Sequence, residues 1–466
     1  MSDTIPENGL RGPRLISAVT TIVIAVAMAS LDTSIVNTAL PTIATDMHAS
    51  PADAVWVVNA YQLALVVSLL PFASLGEIIG YRRVYVWGLA VFTAASLLCA
   101  LSWSLPSLAA ARIIQGIGAS GILSVNNALI RFIYPSNALG RGVGYNALVV
   151  AVSTAIGPTI AAGILSFGSW QFLFAVNVPL GLIAFILALR VLPDTRRATH
   201  RFDIGSAALN ATTFGLLIFG IGEAAHSANL VVTLTALAVA FASGGALIFR
   251  QLGLPAPMLP VDLYRRPMFA LSSLTSFCSF AAQGLAFVSL PFYLQTVLGF
   301  SAVETGLLLT PWPVMTAIAA PIAGPLSDRC PPAILGGIGL AILAAGLGLT
   351  ATLAGRADPT GIIWRMMICG AGFGCFQSPN LKAIMSSAPP ERSGGASGII
   401  ATSRLVGQAV GAALVALCFG ISMPHGPSLA LATAAVFSAA GSLVSFSRLA
   451  AKPFRPAVRG AAKPVS

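Results

Sequence analysis

Apolar residues run along this chain in long blocks, broken by short polar turns. We read fourteen such blocks, at 15–38, 52–74, 84–104, 107–131, 140–166, 170–192, 203–224, 229–249, 268–291, 302–325, 333–353, 361–386, 395–420 and 428–448. A helix needs about 20 apolar residues to cross the hydrocarbon core of a bilayer. The pattern therefore predicts an all-α polytopic membrane protein with fourteen transmembrane helices. Two helix starts are legible in detail. Ser50-Pro51-Ala52-Asp53 offers a capping serine, a proline at the first helical position and an acid in the first turn. Ser301-Ala302-Val303-Glu304 has the form of a capping box, so Glu304 reads as a cap. Glu223 reads as interfacial.

Composition agrees with this class. Of 466 residues, 56% are hydrophobic and 8% charged, with a mean hydropathy of +0.88. The polar N-terminal stretch precedes an apolar run too long for a signal peptide core, so no cleaved leader is expected. The net charge is +11, and its distribution is informative. With both termini placed inside, every Lys and Arg falls in a cytoplasmic tail or loop except Arg112, Arg365 and Arg404, within spans, and Arg356, outside. That asymmetry is the positive-inside signature. The same spread argues against nucleic acid as a partner, since the charge is scattered over short loops. A multi-pass protein of a plasma (inner) membrane is expected.

Cys99, Cys278, Cys330, Cys369, Cys375 and Cys418 mostly fall in spans and form no metal-ligand spacing with histidine, so no metal site is predicted. His48, His200, His226 and His425 fall in or near loops. Acid, His or metal ligands clustered at one depth are missing, which argues against an enzyme. There is no Walker-type phosphate loop, which argues against ATP coupling.

The chain repeats itself. Gly76-Glu77 and Gly80-Tyr81-Arg82-Arg83 follow the second span; Gly324-Pro325-Leu326-Ser327-Asp328-Arg329 follows the tenth. Arg112 to Gly118 opens the fourth span and Arg365 to Gly372 the twelfth. Glu77 and Asp328 are 251 residues apart, Arg112 and Arg365 253. Two motifs at nearly one offset imply two six-helix halves, 15–192 and 268–448, with two additional helices and their loops at 193–267. The tails are 1–14 and 449–466. Parallel halves of this kind are a transporter plan with the substrate between them near the midplane. A complete pathway within one chain implies function as a monomer.

These motifs resemble the major facilitator superfamily, in its fourteen-helix drug:proton antiporter branch, over roughly the whole length. Leu31-Asp32-Thr33-Ser34 through Pro41 resembles the branch's first-helix motif. Gly76 to Arg83 resembles the loop motif and Arg112 to Gly118 the fourth-helix motif. Gly157-Pro158 resembles the antiporter motif. Trp170 to Phe174, Asn177 to Gly181 and Phe202 to Gly205 resemble sequence around helices 6 and 7. The chain departs at Glu77, where Asp is usual, at Ile78 and Pro331, and at Ala161 and Ala162, where the antiporter motif ends in glycines. The resemblance implies a secondary transporter with no cofactor, driven by a proton gradient, whose partners are the bilayer, protons and a small molecule.

Asp32 is the one charge between Leu15 and Pro41. An ionised carboxylate in the membrane centre costs about 2.5–3.5 kcal/mol on insertion scales and is functional by default. It lies nine residues before Pro41, about 13 Å along a helix; Arg112 lies six residues after Pro106, about 9 Å. The matched depth makes them candidates for proton coupling, or for a permanent ion pair. Gln115 shares the face of Arg112, and Asn126 reads as a solvated polar residue near the cytoplasmic end. Asn59 with Gln62, Arg404 with Gln408, and Gln283 are candidates for the substrate cavity or for interhelical hydrogen bonds. Phe277, Phe280 and Phe287 read as a stripe facing lipid, narrowly ahead of a mixed polar and aromatic pocket with Gln283. Glu77, Arg82, Arg83, Asp328 and Arg329 read as a conformational latch. Gly157 and Pro158 read as a kink.

The expected function is export of small lipophilic compounds, drug or toxic metabolite, in exchange for protons. Metabolite uptake or facilitated diffusion is the alternative, ahead of a sensor or enzyme. With Asp32 the one secure intramembrane acid, neutral, monocationic or weakly acidic substrates fit better than multiply charged cations.

Overall fold

The computed structural model describes residues 9–135, 138–195, 197–198, 202–226, 230–254, 259–353, 358–388, 393–422 and 425–450. Of the predicted tails at 1–14 and 449–466, residues 1–8 and 451–466 lie outside these residues, as do Arg196, His200, Arg201, Arg356 and Arg392.

Seventeen α-helices and no strand are found among the described residues. They are α1 (Gly12–Asp46), α2 (Pro51–Ala54), α3 (Trp56–Ile79), α4 (Tyr81–Ala100), α5 (Leu105–Ile133), α6 (Leu139–Phe167), α7 (Gln171–Ala175), α8 (Asn177–Val191), α9 (Ile204–His226), α10 (Leu230–Leu252), α11 (Pro267–Phe292), α12 (Ala302–Leu309), α13 (Pro311–Arg329), α14 (Pro332–Ala351), α15 (Pro359–Ser387), α16 (Ser393–Ile421) and α17 (Gly426–Ser447). A π-helical turn at Tyr293–Val297 prolongs α11. Among the described residues, thirteen segments are long and apolar enough to cross a membrane. The predicted span 361–386 is the helix α15, but it is not one of the thirteen: Arg365, Gln377, Asn380 and Lys382 dilute its apolar sequence. Large apolar side chains such as Phe241, Phe249, Ile322 and Leu443 stand exposed on the outer surface, as a lipid-facing belt requires.

Both predicted caps form. The Ser50 hydroxyl accepts from the Asp53 amide at 3.1 Å, and Glu304 accepts from the Ser301 amide at 2.8 Å. The helix α1 does not end at Pro41 but runs through it to Asp46. Proline lacks the amide that would bond back to Asn37, and nearby the Thr38 carbonyl accepts from Gln295 Nε2 at 3.3 Å, tying α1 to the π-helical turn.

Helix packing repeats along the chain. The helix α5 lies against α3 and α4; α15 lies against α13 and α14. Glycines make both contacts close. A Cβ at Gly118 would sit 2.4 Å from the Phe92 amide, and one at Gly116 2.5 Å from the Tyr61 carbonyl. In the later helices, a Cβ at Gly372 would sit 2.5 Å from the Leu343 amide, and one at Gly370 2.1 Å from the Trp312 carbonyl. Small residues let apolar helices approach until backbones touch. Between α3 and α4, Gly80 takes φ +103°, a conformation L side chains rarely adopt.

The helices α9 and α10 pack on each other, and α9 touches α3 and α16. Asp203 fastens this pair. It accepts from the Ser206 amide at 3.1 Å and from Arg250 Nη2 at 2.9 Å. The Arg250 hydrogen bonds hold the Asp203 carboxyl well below its usual range, at about 2.

Helices from the two ends of the chain meet at α1 with α11, α6 with α12, and α3 with α16. The Thr159 and Thr310 hydroxyls bond at 2.8 Å, and a Cβ at Gly306 would lie 2.4 Å from the Pro158 carbonyl.

Candidate functional site

Asp32 and Arg112 meet in the protein interior, each 1% exposed. Arg112 Nη1 donates to Asp32 Oδ2 at 2.5 Å. The other carboxylate oxygen accepts from Gln115 Nε2 at 2.8 Å and Asn177 Nδ2 at 3.1 Å. The guanidinium is held independently of the acid. Its Nε donates to the Val57 carbonyl at 3.1 Å, its Nη1 also reaches Gln115 Oε1 at 2.6 Å, and its carbon lies 4.1 Å from the Tyr61 ring centroid. Gln115 is fixed in turn through Ser96 Oγ at 3.0 Å. Helices α1, α3, α4, α5 and α8 thus converge on one carboxylate. A buried ion pair is tolerable when its remaining hydrogen-bonding capacity is met, as here, and strongly destabilising when one partner is removed. Such a carboxylate can take one proton, and doing so would dissolve the charge that holds Arg112, Gln115 and Asn177 together.

Asp32 and Arg112, expected at matching depth, are in contact, although Pro41 lies inside α1 and does not mark its end. Sequence reasoning assigned no role to Asn177, Ser96 or Tyr61. The one available signal was an uncharged polar residue inside a span. Asn126 is corrected: it is 4% exposed, not solvated, because Asn146 Oδ1 on α6 accepts its amide at 2.9 Å.

Other candidates are placed as follows. Asn59 is fully buried with neither amide atom bonded, and Gln62 Oε1 is buried without a partner. Gln408 Nε2 donates to Gln283 Oε1 at 3.0 Å across α16 and α11. The lipid-facing reading of the phenylalanines is overturned. Phe280 packs on Phe373 at 5.7 Å and Phe287 on Trp312 at 5.1 Å, while Phe277 is partly buried. Facing side chains from α13 and α15 give them better contacts than lipid would.

A cavity of about 20 Å³, room for a single water, lies between α1, α6, α11, α12 and α13, with Ser34, Asn37, Thr154 and Phe287 in its wall. Gly157 and Pro158 sit at its edge. A Cβ at Gly157 would be 2.4 Å from Ser34 Oγ, so the missing side chain lets α6 press on α1, while Gly306 lets α12 approach the Pro158 carbonyl.

The latch candidates lie at two places, at the junction of α3 and α4 and at the end of α13. Arg82 pairs with Asp194 at 3.2 Å and donates to the Leu189 carbonyl; Asp328 pairs with Lys382. The Glu77 carbonyl accepts from the Ala198 amide. Arg83 and Arg329 are exposed. Arg365, the repeat counterpart of Arg112, has no acid partner among the described residues. It bonds the Leu349 and Gly361 carbonyls and lies 4.3 Å over Trp364. Arg448, assigned above to topology alone, is 2% exposed and bonds Ser272, Asn380 and Ser445.

Residues 22–412 match the family model described as Major Facilitator Superfamily. The chain is 54% identical over 447 residues to the uncharacterized transporter YebQ of Escherichia coli, covering 96% of this chain and 98% of that one. It is 30% identical over 413 residues to the riboflavin transporter RibZ of Clostridioides difficile, covering 87% and 88%. It is 33% identical over 421 residues to the tetracenomycin C resistance and export protein of Streptomyces glaucescens, covering 88% and 77%. The chain therefore belongs to the major facilitator superfamily, as a multi-pass membrane transport protein that is no enzyme and works without a cofactor.

Proposed function

We propose that this protein exports a small lipophilic compound in exchange for protons, and that Asp32 is the residue that carries the proton. The observation behind this reading is the buried Asp32, bonded at once by Arg112, Gln115 and Asn177. A carboxylate so tightly held has no purely structural need to be charged, since apolar packing serves as well. Protonation would release Arg112 and loosen five helices together, which is the kind of switch alternating access uses. The name of the Streptomyces relative supports the direction of transport.

In this reading the fourteen helical spans form two six-helix bundles, with α9 and α10 additional. Both termini are cytoplasmic in the plasma (inner) membrane, and one chain is the working unit. Repeated glycine contacts in α3–α5 and α13–α15 support the two-bundle division. The Thr159–Thr310 and Gln295–Thr38 bonds support a state closed at the outer end. The pairs at Arg82–Asp194 and Asp328–Lys382 are then available to change partners when the cytoplasmic end closes. Metabolite uptake is the second reading; the riboflavin relative's name supports a metabolite as the substrate and carries no direction.

The test begins with a resistance and accumulation screen in a strain lacking its own exporters. Purified protein in liposomes should then release protons when the hit compound is added. Asp32→Asn should insert normally and lose all uphill transport. Full uphill transport by that variant removes Asp32 from the mechanism, and proton-independent equilibration by the wild type favours the uptake reading.

A further inference from the structure

Three other arginines in or beside the helical spans have their charge satisfied. Arg112 has Asp32, Arg365 has two carbonyls and an indole face, and Arg448 has two hydroxyls and an amide oxygen. Arg404 on α16 differs. Its Nε is buried without an acceptor, and among the described residues no acid lies within ion-pair distance of it. Part of its side chain remains accessible. It lies eleven residues into a 29-residue helix, about 17 Å from the helix start, too deep for a lipid phosphate at the interface. An unpartnered guanidinium at this depth is expensive to keep, and its planar fork matches carboxylates and related oxyanions.

Above Arg404 the surroundings change in order. Gln408 lies one helical turn further along α16 and is bonded to Gln283 on α11. One turn beyond Gln283 lies Phe287, in the wall of the cavity that also holds the unbonded Asn37 Oδ1. The two turns together span about 12 Å, the length of a two-ring aromatic acid. We infer that the transported compound is an organic anion, whose acidic group is received by Arg404 and whose apolar body lies along Gln283 and Phe287 once transport opens that cavity beyond its present single-water volume. This deepens the export reading and rests on it for the word transported; the binding claim stands separately. An anion leaving and a proton entering move charge in the same direction, so their exchange is driven by the membrane potential as well as by pH.

The test uses purified protein in phosphatidylcholine nanodiscs and three probes with one body: 2-naphthylacetate, its methyl ester and 2-naphthylethylamine. Binding of the acid is expected to be at least tenfold tighter than that of the ester or amine. Arg404→Gln should level the three, and Arg404→Lys should keep a preference for the acid. Equal binding of all three probes, absence of binding by the acid, or a preference unchanged in Arg404→Gln overturns the inference. If Arg404→Gln does not fold, the wild-type ratio of acid to ester decides alone. Adding phosphatidylglycerol to the nanodiscs separates the sources of the oxyanion: loss of acid binding would assign Arg404 to lipid and overturn the inference. Proteoliposomes under a potassium diffusion potential test the two claims apart. Proton-coupled movement of ester or amine, without an acid preference, keeps export and removes the anion. Acid binding with no proton-coupled movement keeps the anion site and removes export.

Discussion

Gln115 donates to Asp32 at 2.8 Å while accepting from Arg112 at 2.6 Å, so it bridges the ion pair it lies beside. One turn of α5 thus supplies both the cation and the amide that orients it. Gln115→Leu would leave Ser96 without its amide donor and Asp32 with one donor fewer. A buried polar group left unsatisfied costs about 1–3 kcal/mol. The expected result is a lower unfolding midpoint in detergent, read by intrinsic fluorescence, with weaker proton coupling. An unchanged midpoint would mean that water replaces the amide.

Removing one half of the ion pair strands the other. Asp32→Asn and Arg112→Gln should each destabilise by about 3–5 kcal/mol. The double variant should recover much of that loss, since no charge is left unpaired, yet remain inactive in uphill transport. Arg112→Lys should not restore function, because the ammonium cannot hold Asp32 and the Val57 carbonyl in the same fork. Additive losses in the thermal-unfolding cycle would show that the two groups do not act as a unit.

The seam between α6 and α12 has no room for a methyl group. Gly306→Ala places its Cβ against the Pro158 carbonyl, an overpacking of about 1–3 kcal/mol. In a cysteine-free background, a reporter thiol introduced at Thr159 should react faster with a membrane-impermeant maleimide added outside. Equal labelling of Gly306→Ala and its parent would mean that the seam yields elsewhere.

The Asp203–Arg250 pair gives a pH signature at the joint between α9 and α10. The folded carboxyl titrates at about 2, below its ordinary 3.8. Its contribution is therefore complete above about 4 and disappears as pH falls through about 2. Arg250 is half exposed, so the effect is modest and shrinks with salt. Unfolding midpoints of wild type and Asp203→Asn should differ at pH 6 and converge towards pH 2. A constant difference over that range would place the effect in the cap to Ser206 instead.

Long apolar blocks were readable because a bilayer demands them, and Asp32 with Arg112 because a charge there demands a partner. Asn177 carried no comparable signal: an uncharged amide in a helix is common, and its contact with Asp32 spans 145 residues. The burial of Phe280 and Phe287 was illegible for a similar reason. A phenylalanine reads alike whether Phe373, Trp312 or lipid lies beyond it. Arg448 was taken for a topology marker because nothing local separates an exposed loop cation from one turned inward onto Ser272 and Asn380. The dilution of α15 by Arg365, Gln377, Asn380 and Lys382 was in plain view, and packing rather than hydropathy places that helix.

Arg365 lies on Trp364 and two carbonyls, with no acid to answer it among the described residues. An arginine satisfied by backbone imposes no charge balance on its neighbours. Side chains of α14 and α15 around it can therefore be exchanged without disturbing an ion pair, whereas around Arg112 each exchange must respect one. The two repeats are therefore unequally constrained: a change beside Arg112 must keep a charge paired, and one beside Arg365 need not.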